Sequence, residues 1–109
     1  MIASNEVLKT RRTKKDDSLP DYKIFETNEF INCLESLPRK DKSKIEKKLT
    51  HFVYPQLKKE PHYGINIKKL HGYNPGTWRY RIGNYRIFYI IEKQIINIIS
   101  IDHRKDAYK

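Results

Sequence analysis

The sequence KKLHGYNPGTWRYRIGNYRIFYIIEKQIINIISIDHRKDAY, residues 68–108, decides the fold. Residues 77–82 and 85–91 are rich in β-branched and aromatic side chains, which favour strands. The Gly83–Asn84 link between them consists of two residues that tolerate a positive φ, so it predicts a tight β-hairpin. Residues 95–101 are almost wholly apolar and predict a central strand that is covered on both faces.

Cationic side chains occur at intervals along these strands. Arg79 and Arg81 are two residues apart and therefore lie on one face of the first strand, and Arg86 begins the second. Three further polar residues follow the third strand: His103, Arg104 and Tyr108. A small sheet on which cations, an imidazole and a phenol converge is typical of a surface that binds phosphate.

The chain before this stretch predicts one strand and a first helix. Residues 22–26 favour a short strand, and Thr27 or Asn28 can cap the helix that follows. The helix has apolar residues at i, i+3, i+4 and i+7, namely Phe30, Cys33, Leu34 and Leu37. This spacing predicts one buried stripe and places Cys33 in the core, where a thiol behaves as a small hydrophobe.

Pro38 suits the first turn of a second helix, expected from residue 39 to about residue 53, with Pro55 kinking or ending it. Its apolar residues fall on one predicted face: Ile45, Leu49, Phe52 and Val53. The other face is rich in lysine and includes Lys40, Lys42, Lys44, Lys47 and Lys48. That face is either simply solvated or lies on RNA.

The composition bounds the class of protein. With 109 residues there is room for one domain, expected over residues 21–109, preceded by a basic arm at residues 1–20. The net charge of +10 favours nucleic acid or an acidic protein as a partner. Cys33 is the one cysteine, and no segment has the apolar length of a membrane span, so the cytoplasm is expected. The four histidines are scattered along the chain, and neither a metal site nor another cofactor is predicted.

The ordered motifs of the second half resemble the RelE/ParE superfamily of type II toxins, and within it the RelE branch. The matching residues are Lys69-Leu70-x-Gly72, Trp78-Arg79-x-Arg81, Gly83-x-Tyr85-Arg86, Tyr89 and His103-Arg104-x-Asp106-x-Tyr108. The resemblance implies an α+β, microbial-RNase-like fold. The expected order is β-α-α-β-β-β, with a small, mostly antiparallel sheet packed on an αα-hairpin.

The resemblance also implies an mRNA endonuclease that acts in the ribosome and is held by a separate antitoxin protein. RNA would be cut by attack of its own 2′-hydroxyl on the adjacent phosphate. The implied site residues are Arg79, Arg81, Arg86, Arg104 and Tyr108. The RNA-binding residues are expected to include Arg79, Lys68, Lys69, Lys44, Lys47 and Lys48. Neither Arg86 nor Arg104 is expected in the core.

The proton transfers are assigned less directly. Relatives commonly carry lysine where this chain has Arg79 and Arg81, and a guanidinium does not deprotonate at working pH, so it cannot act as the base. His103 or Tyr108 is therefore expected to move protons. Trp78, Tyr85 and Tyr89 are expected to be packing residues, which leaves few aromatic side chains to align the RNA and favours dependence on the ribosome.

Two other functions remain open at this point. One is a ParE-like protein that inhibits DNA gyrase by binding and has no catalytic activity. The other is an inactive relative that only binds its antitoxin and represses DNA with it. One scaffold can host all three, so the fold alone does not separate them.

Overall fold

A computed structural model describes residues 21–103 of the chain. The elements in order are β1 (Lys23–Glu26), α1 (Asn28–Glu35), α2 (Arg39–Lys48), a π-helical turn (Leu49–Val53), α3 (Tyr54–Lys59), β2 (Ile67–Lys69), β3 (Trp78–Ile82), β4 (Tyr85–Glu92) and β5 (Ile95–His103). The predicted α+β class is confirmed, with two short elements beyond the predicted order, the helix α3 and the strand β2. The expected basic arm at residues 1–20, together with Arg104 and Tyr108, lies outside the described residues.

The five strands form one mixed sheet in the order β1-β5-β4-β3-β2. β1 pairs with β5 in parallel, and every other pair is antiparallel. The predicted hairpin joins β3 to β4, and Gly83 in its turn has a φ of 57°, which glycine adopts without strain. β5 lies inside the sheet as predicted. However, its buried side chains face the helices, so the described helices cover one face of this strand and not both.

The helices and the sheet enclose one apolar core. α1 contributes Phe30 and Leu34, and Cys33 packs half-buried against them. Thr27 is the N-cap of α1, because its Oγ1 accepts a hydrogen bond from the Phe30 amide at 3.2 Å. The same hydroxyl donates to the Ile98 carbonyl oxygen at 2.8 Å. The cap therefore fixes the start of α1 against β5.

Because of the π-helical turn, the buried face of this helical region differs from the predicted one. The buried residues of this helical region are four apart: Ile45, Leu49, Val53 and Leu57. In a continuous α-helix each such step overshoots a full turn by about 40°, so the row would drift off the core. The amide of Tyr54 bonds to the Leu49 carbonyl, five residues back, and this wider turn keeps the row in register. Phe52, predicted to be buried, is instead 67% exposed.

A β-bulge divides β5. Phe88 pairs with Ser100 and Tyr89 pairs with Ile98, so Ile99 has no opposite residue on β4. The extra residue reverses the alternation of side chains beyond it. Ile98 and Ile101 are consequently both buried although they are three residues apart. The face on which His103 lies follows from this shift.

Candidate nucleic-acid interface

Four cations share the face of the sheet that is turned away from the helices, here called the outer face. They form the outer-face cluster: Lys68, Arg79, Arg81 and Arg86. Lys68 lies directly opposite Arg79, and Arg81 lies directly opposite Arg86. Opposed positions on one face have Cβ atoms about 5 Å apart, where like charges destabilise the sheet. An anion bound to the cluster would relieve this repulsion.

Arg86 is the innermost member of the cluster. It is only 6% exposed, which corrects the expectation that it lies outside the core. The physical reason is its position on β4, the middle strand, between Arg81 on one neighbour and Asp102 on the other. Its guanidinium also donates to the Tyr85 carbonyl oxygen at 3.4 Å. Arg86 is therefore buried within the sheet, while its charge still belongs to the outer face.

Asn66 organises the other two arginines. The Nη1 of Arg79 donates to the Asn66 carbonyl oxygen at 2.9 Å, and the backbone amide of Arg81 donates to the same oxygen at 3.0 Å. Asn66 holds a positive φ of 73°, which asparagine tolerates better than most residues. Arg79 is half-buried while Arg81 is exposed. The cluster therefore combines an anchored guanidinium with a solvent-facing one.

A cavity of about 230 Å³ opens beside the cluster. It is lined by Lys68, Leu70, His71, Tyr73, Arg79, Arg86 and Phe88. Four of these, Leu70, His71, Tyr73 and Phe88, were not predicted as site residues. The alternation of β4 carried a signal for Phe88, since it is two residues from Arg86 and hence on the same face. His71 and Tyr73 lie in the loop between β2 and β3, whose path no periodicity predicts.

His103 lies on the other side of the sheet. It pairs with Tyr85 on the face that carries Ile87 and Ile101, and its ring meets the Tyr85 ring edge-on at 5.1 Å. A cleft of about 210 Å³ surrounds it, lined also by Asp41, Lys44 and other residues. The structure thus does not place His103 on the face of Arg79, Arg81 and Arg86.

Tyr85 closes one end of this cleft. Its hydroxyl donates a hydrogen bond to Asp41 Oδ2 at 2.7 Å. That bond to a carboxylate, with burial adding to it, raises the pKa of Tyr85 to about 12. The phenol therefore stays protonated at neutral pH and ties α2 to β4.

The predicted RNA-binding lysines fall on separate surfaces. Lys68 belongs to the outer-face cluster, whereas its neighbour Lys69 pairs with Trp78 on the opposite face. The Lys69 ammonium lies 5.1 Å from the centre of the Trp78 ring, a cation–π contact. Lys44 and Lys48 line the His103 cleft, and Lys47 is exposed on α2.

The described residues suit anion binding more than metal binding. Guanidinium groups remain charged and grip two phosphate oxygens at once. Within residues 21–103, no three His, Cys, Asp or Glu side chains are grouped so as to hold a metal ion. None of the helices in that range is long and apolar enough to cross a membrane.

Comparisons with known proteins find similar solved structures and one matching family model. Among solved structures, the chain is similar to the RelBE2 toxin–antitoxin complex of Mycobacterium tuberculosis, with 27% identity and a TM-score of 0.60 over 77% of this chain and 99% of the matched one. It is also similar to the archaeal RelE–RelB complex of Pyrococcus horikoshii, with 22% identity and a TM-score of 0.59 over 79% and 98%. A comparison with curated protein sequences finds no match.

A match to a protein-family model covers most of the chain. Residues 25–108 match the family described as the ParE toxin of the type II toxin–antitoxin system parDE. This span includes all five strands and all the helical segments except the first two residues of β1. The chain therefore belongs to the ParE toxin family, within the RelE/ParE superfamily of type II toxins.

Proposed function

We propose that this toxin is a ribosome-dependent mRNA endonuclease. The observation that carries the proposal is the outer-face cluster, in which Arg79, Arg81 and Arg86 lie on neighbouring strands with Lys68 beside them. Four cations on one face of a small sheet form a concentrated positive surface, to which a polyanion can bind. The RNA backbone supplies such a charge, and the cavity beside the cluster opens to solvent on the same face.

The reaction proposed is attack of an RNA 2′-hydroxyl on the adjacent phosphorus, which releases the 5′-oxygen of the next nucleotide. Arg81 and Arg86, together with Arg104 outside the described residues, would stabilise the charge that develops on the phosphoryl oxygens. A preorganised donor of this kind contributes about 10²-fold or more to the rate. No metal ion enters this scheme.

Proton transfer requires a different residue type. Tyr108 keeps the role predicted from the sequence, and it lies outside the described residues. His103 is on the helix side of the sheet, whereas His71 lines the cavity together with Arg79 and Arg86. We therefore assign His71 as the histidine best placed to exchange a proton with RNA on the outer face.

The ribosome is invoked because binding of RNA on this small surface does not by itself align the 2′-hydroxyl with the phosphorus that it attacks. Holding the 2′-hydroxyl in line with the phosphate is worth roughly 7–11 kcal/mol when geometry is fully imposed. The decoding site can bend the message, while Lys47 and Lys48 on α2 lie available for ribosomal RNA phosphates.

The partner proposed for the toxin is a separate antitoxin chain. The solved relatives from M. tuberculosis and P. horikoshii are described as complexes with such proteins. The net charge of +10 favours an acidic partner. Expression of the toxin alone from a tightly controlled promoter should arrest growth, and normal growth with abundant folded protein would contradict a toxic activity.

Inhibition of DNA gyrase is the second candidate, because the family that matches residues 25–108 is named for the ParE toxin. A binding inhibitor needs no proton-transfer group, so the two functions differ in their chemistry.

One experiment separates these two functions. Message ends are mapped after incubation with the purified toxin, with and without programmed ribosomes, and gyrase supercoiling is measured in parallel. The proposal predicts new ends only with ribosomes, unchanged by EDTA. Inhibited supercoiling with no cleavage in either arm would instead establish the gyrase inhibitor. Equally fast cutting of free RNA would contradict the ribosome requirement.

A further inference from the structure

The cavity on the outer face brings aromatic rings next to the cations. Phe88 lies directly opposite Arg79, and Arg79 lies directly opposite Lys68, so the three form one row across β4, β3 and β2. Phe88 is half-buried on the middle strand, and its ring is part of the cavity wall. An aromatic side chain among cations, on the face turned away from the helices of residues 21–103, is poorly explained by packing alone.

Tyr73 supplies a second ring from the loop between β2 and β3. It is 59% exposed and lines the same cavity. The loop is closed at its base, since the Leu70 amide donates to the Thr77 carbonyl oxygen at 2.8 Å. Thr77 is buried, and its hydroxyl donates to the Pro75 carbonyl oxygen at 3.0 Å. Tyr73 is therefore presented on a short, hydrogen-bonded loop.

We propose that this cavity binds one unstacked base of single-stranded RNA. The base stacks on Tyr73 against the Phe88 wall, while Lys68 and Arg79 hold the phosphate next to it. This inference rests on the proposed endonuclease function and names how that site holds its substrate. Aromatic rings are the usual platforms for splayed RNA bases, and neighbouring cations bind the backbone.

The ligand class follows from the combination of groups. Inorganic anions or acidic peptides would use the cations and gain little from the two rings. Duplex RNA would engage the cations but keep its bases stacked and out of reach of Tyr73. Only a single strand offers a flat base and a phosphate one nucleotide apart. Because every base has a π-face, the site holds the strand in place and is tolerant of sequence.

The experiment measures binding separately from cleavage. Short 2′-O-methyl oligoribonucleotides cannot be cut by 2′-hydroxyl attack, and their affinity for the full-length toxin is measured by fluorescence anisotropy at low salt. A matched series carries a single abasic nucleotide at each position in turn. The variants are Tyr73→Ala and Tyr73→Phe, with Tyr63→Ala as the control at a tyrosine that is 78% exposed and is not among the residues lining this cavity.

The inference predicts that one abasic position weakens binding by about tenfold. Tyr73→Ala should weaken binding of the intact strand about equally and have no further effect on that abasic strand. Tyr73→Phe and Tyr63→Ala should bind as the unmodified protein does. Absence of measurable binding, or an equal loss for intact and abasic strands, would overturn the base site. If base-dependent binding is seen while ribosomes yield no cut message, the endonuclease proposal fails and the base site stands.

Discussion

Arg86 and Asp102 lie directly opposite one another on β4 and β5, and Arg86 is the most deeply buried cation of the outer-face cluster. A carboxylate across from a buried guanidinium offsets part of the cost of removing that charge from water. Asp102 also keeps one side of Arg86 neutral, whereas the other side faces Arg81. The positive charge of Arg86 is thus offset by a carboxylate on the β5 side, whereas a second cation lies on the β3 side.

Arg81 and Arg86 should therefore respond differently to substitution. Arg81→Ala removes an exposed charge and is expected to slow cleavage about 10²-fold without loss of stability. Arg86→Ala should slow cleavage by a similar factor and also lower the free energy of unfolding by about 1–3 kcal/mol, because Asp102 loses its facing cation. Cleavage assays and urea unfolding check both effects. Arg39→Ala, at an exposed arginine on α2, is the control. Full activity of folded Arg81→Ala would remove Arg81 from the site.

A second prediction follows from the π-helical turn and concerns only the stability of the fold. Leu57→Ala should destabilise the fold by about 2–5 kcal/mol, since Leu57 is fully buried. Phe52→Ala should change stability by no more than about 0.5 kcal/mol, because Phe52 projects into solvent. Denaturant unfolding distinguishes these values readily. A large loss in Phe52→Ala would mean that an unbroken α-helix buries Phe52, as the sequence pattern predicts.

Ionisation of Tyr85 is expected to make the stability of the fold depend on pH in the alkaline range. Its pKa rises from 10.0 to about 12 on folding, chiefly through the hydrogen bond to Asp41. Stability from this bond is complete below about pH 10 and is lost as the pH rises toward about 12. Tyr85→Phe should be less stable than the unmodified protein near neutral pH, and the difference should shrink over that alkaline range. This prediction is tested by measuring the urea unfolding midpoints of both proteins across that pH range, with Tyr63→Phe as the control. If the midpoints of Tyr85→Phe and of the unmodified protein change in parallel with pH, the role assigned to the Tyr85–Asp41 hydrogen bond is contradicted.

The two histidines on opposite faces provide a test of the chemistry. His71→Gln is expected to slow ribosome-dependent cleavage by about 10²-fold, the usual scale of one acid–base group. His103→Gln should leave the rate within a few-fold, because His103 faces Tyr85 and α2. Single-turnover rates at saturating toxin are the appropriate measurement. The reverse result would restore the proton-transfer role to His103.

The strands were predictable because their signals are local. Gly83–Asn84 set a two-residue hairpin, and alternation then placed Arg79 and Arg81 on one face. The same reasoning fails at His103, since alternation from Ile96 and Ile98 would put His103 with the arginines. The bulge at Ile99 reverses that assignment, and bulges depend on pairing with the next strand, which is not encoded in any short segment.

Other misses have similar causes. The three residues of β2 are too few to show a period, and they become a strand only by pairing with β3. Phe52 and Val53 are equally apolar, so composition does not reveal which of them faces the core. Tyr73 reaches the cavity because of the path of a loop, which is set by hydrogen bonds such as that of Leu70 to Thr77. Roles predicted for Arg104 and Tyr108 stay predictions, because both lie outside the described residues.

The parallel pairing of β1 with β5 has a consequence for how the toxin is made. The Thr27 hydroxyl and the Ile98 carbonyl are 71 residues apart in the chain, and among the described strands β1 pairs only with β5, the last to be synthesised. Contacts of such long separation form late and slowly, because a large loop must close first. We expect the nascent polypeptide to remain incompletely folded while most of it is being translated. Under the proposed ribosome-dependent function, the ribosome that produces the toxin would then not meet active toxin until synthesis of the sheet is nearly finished.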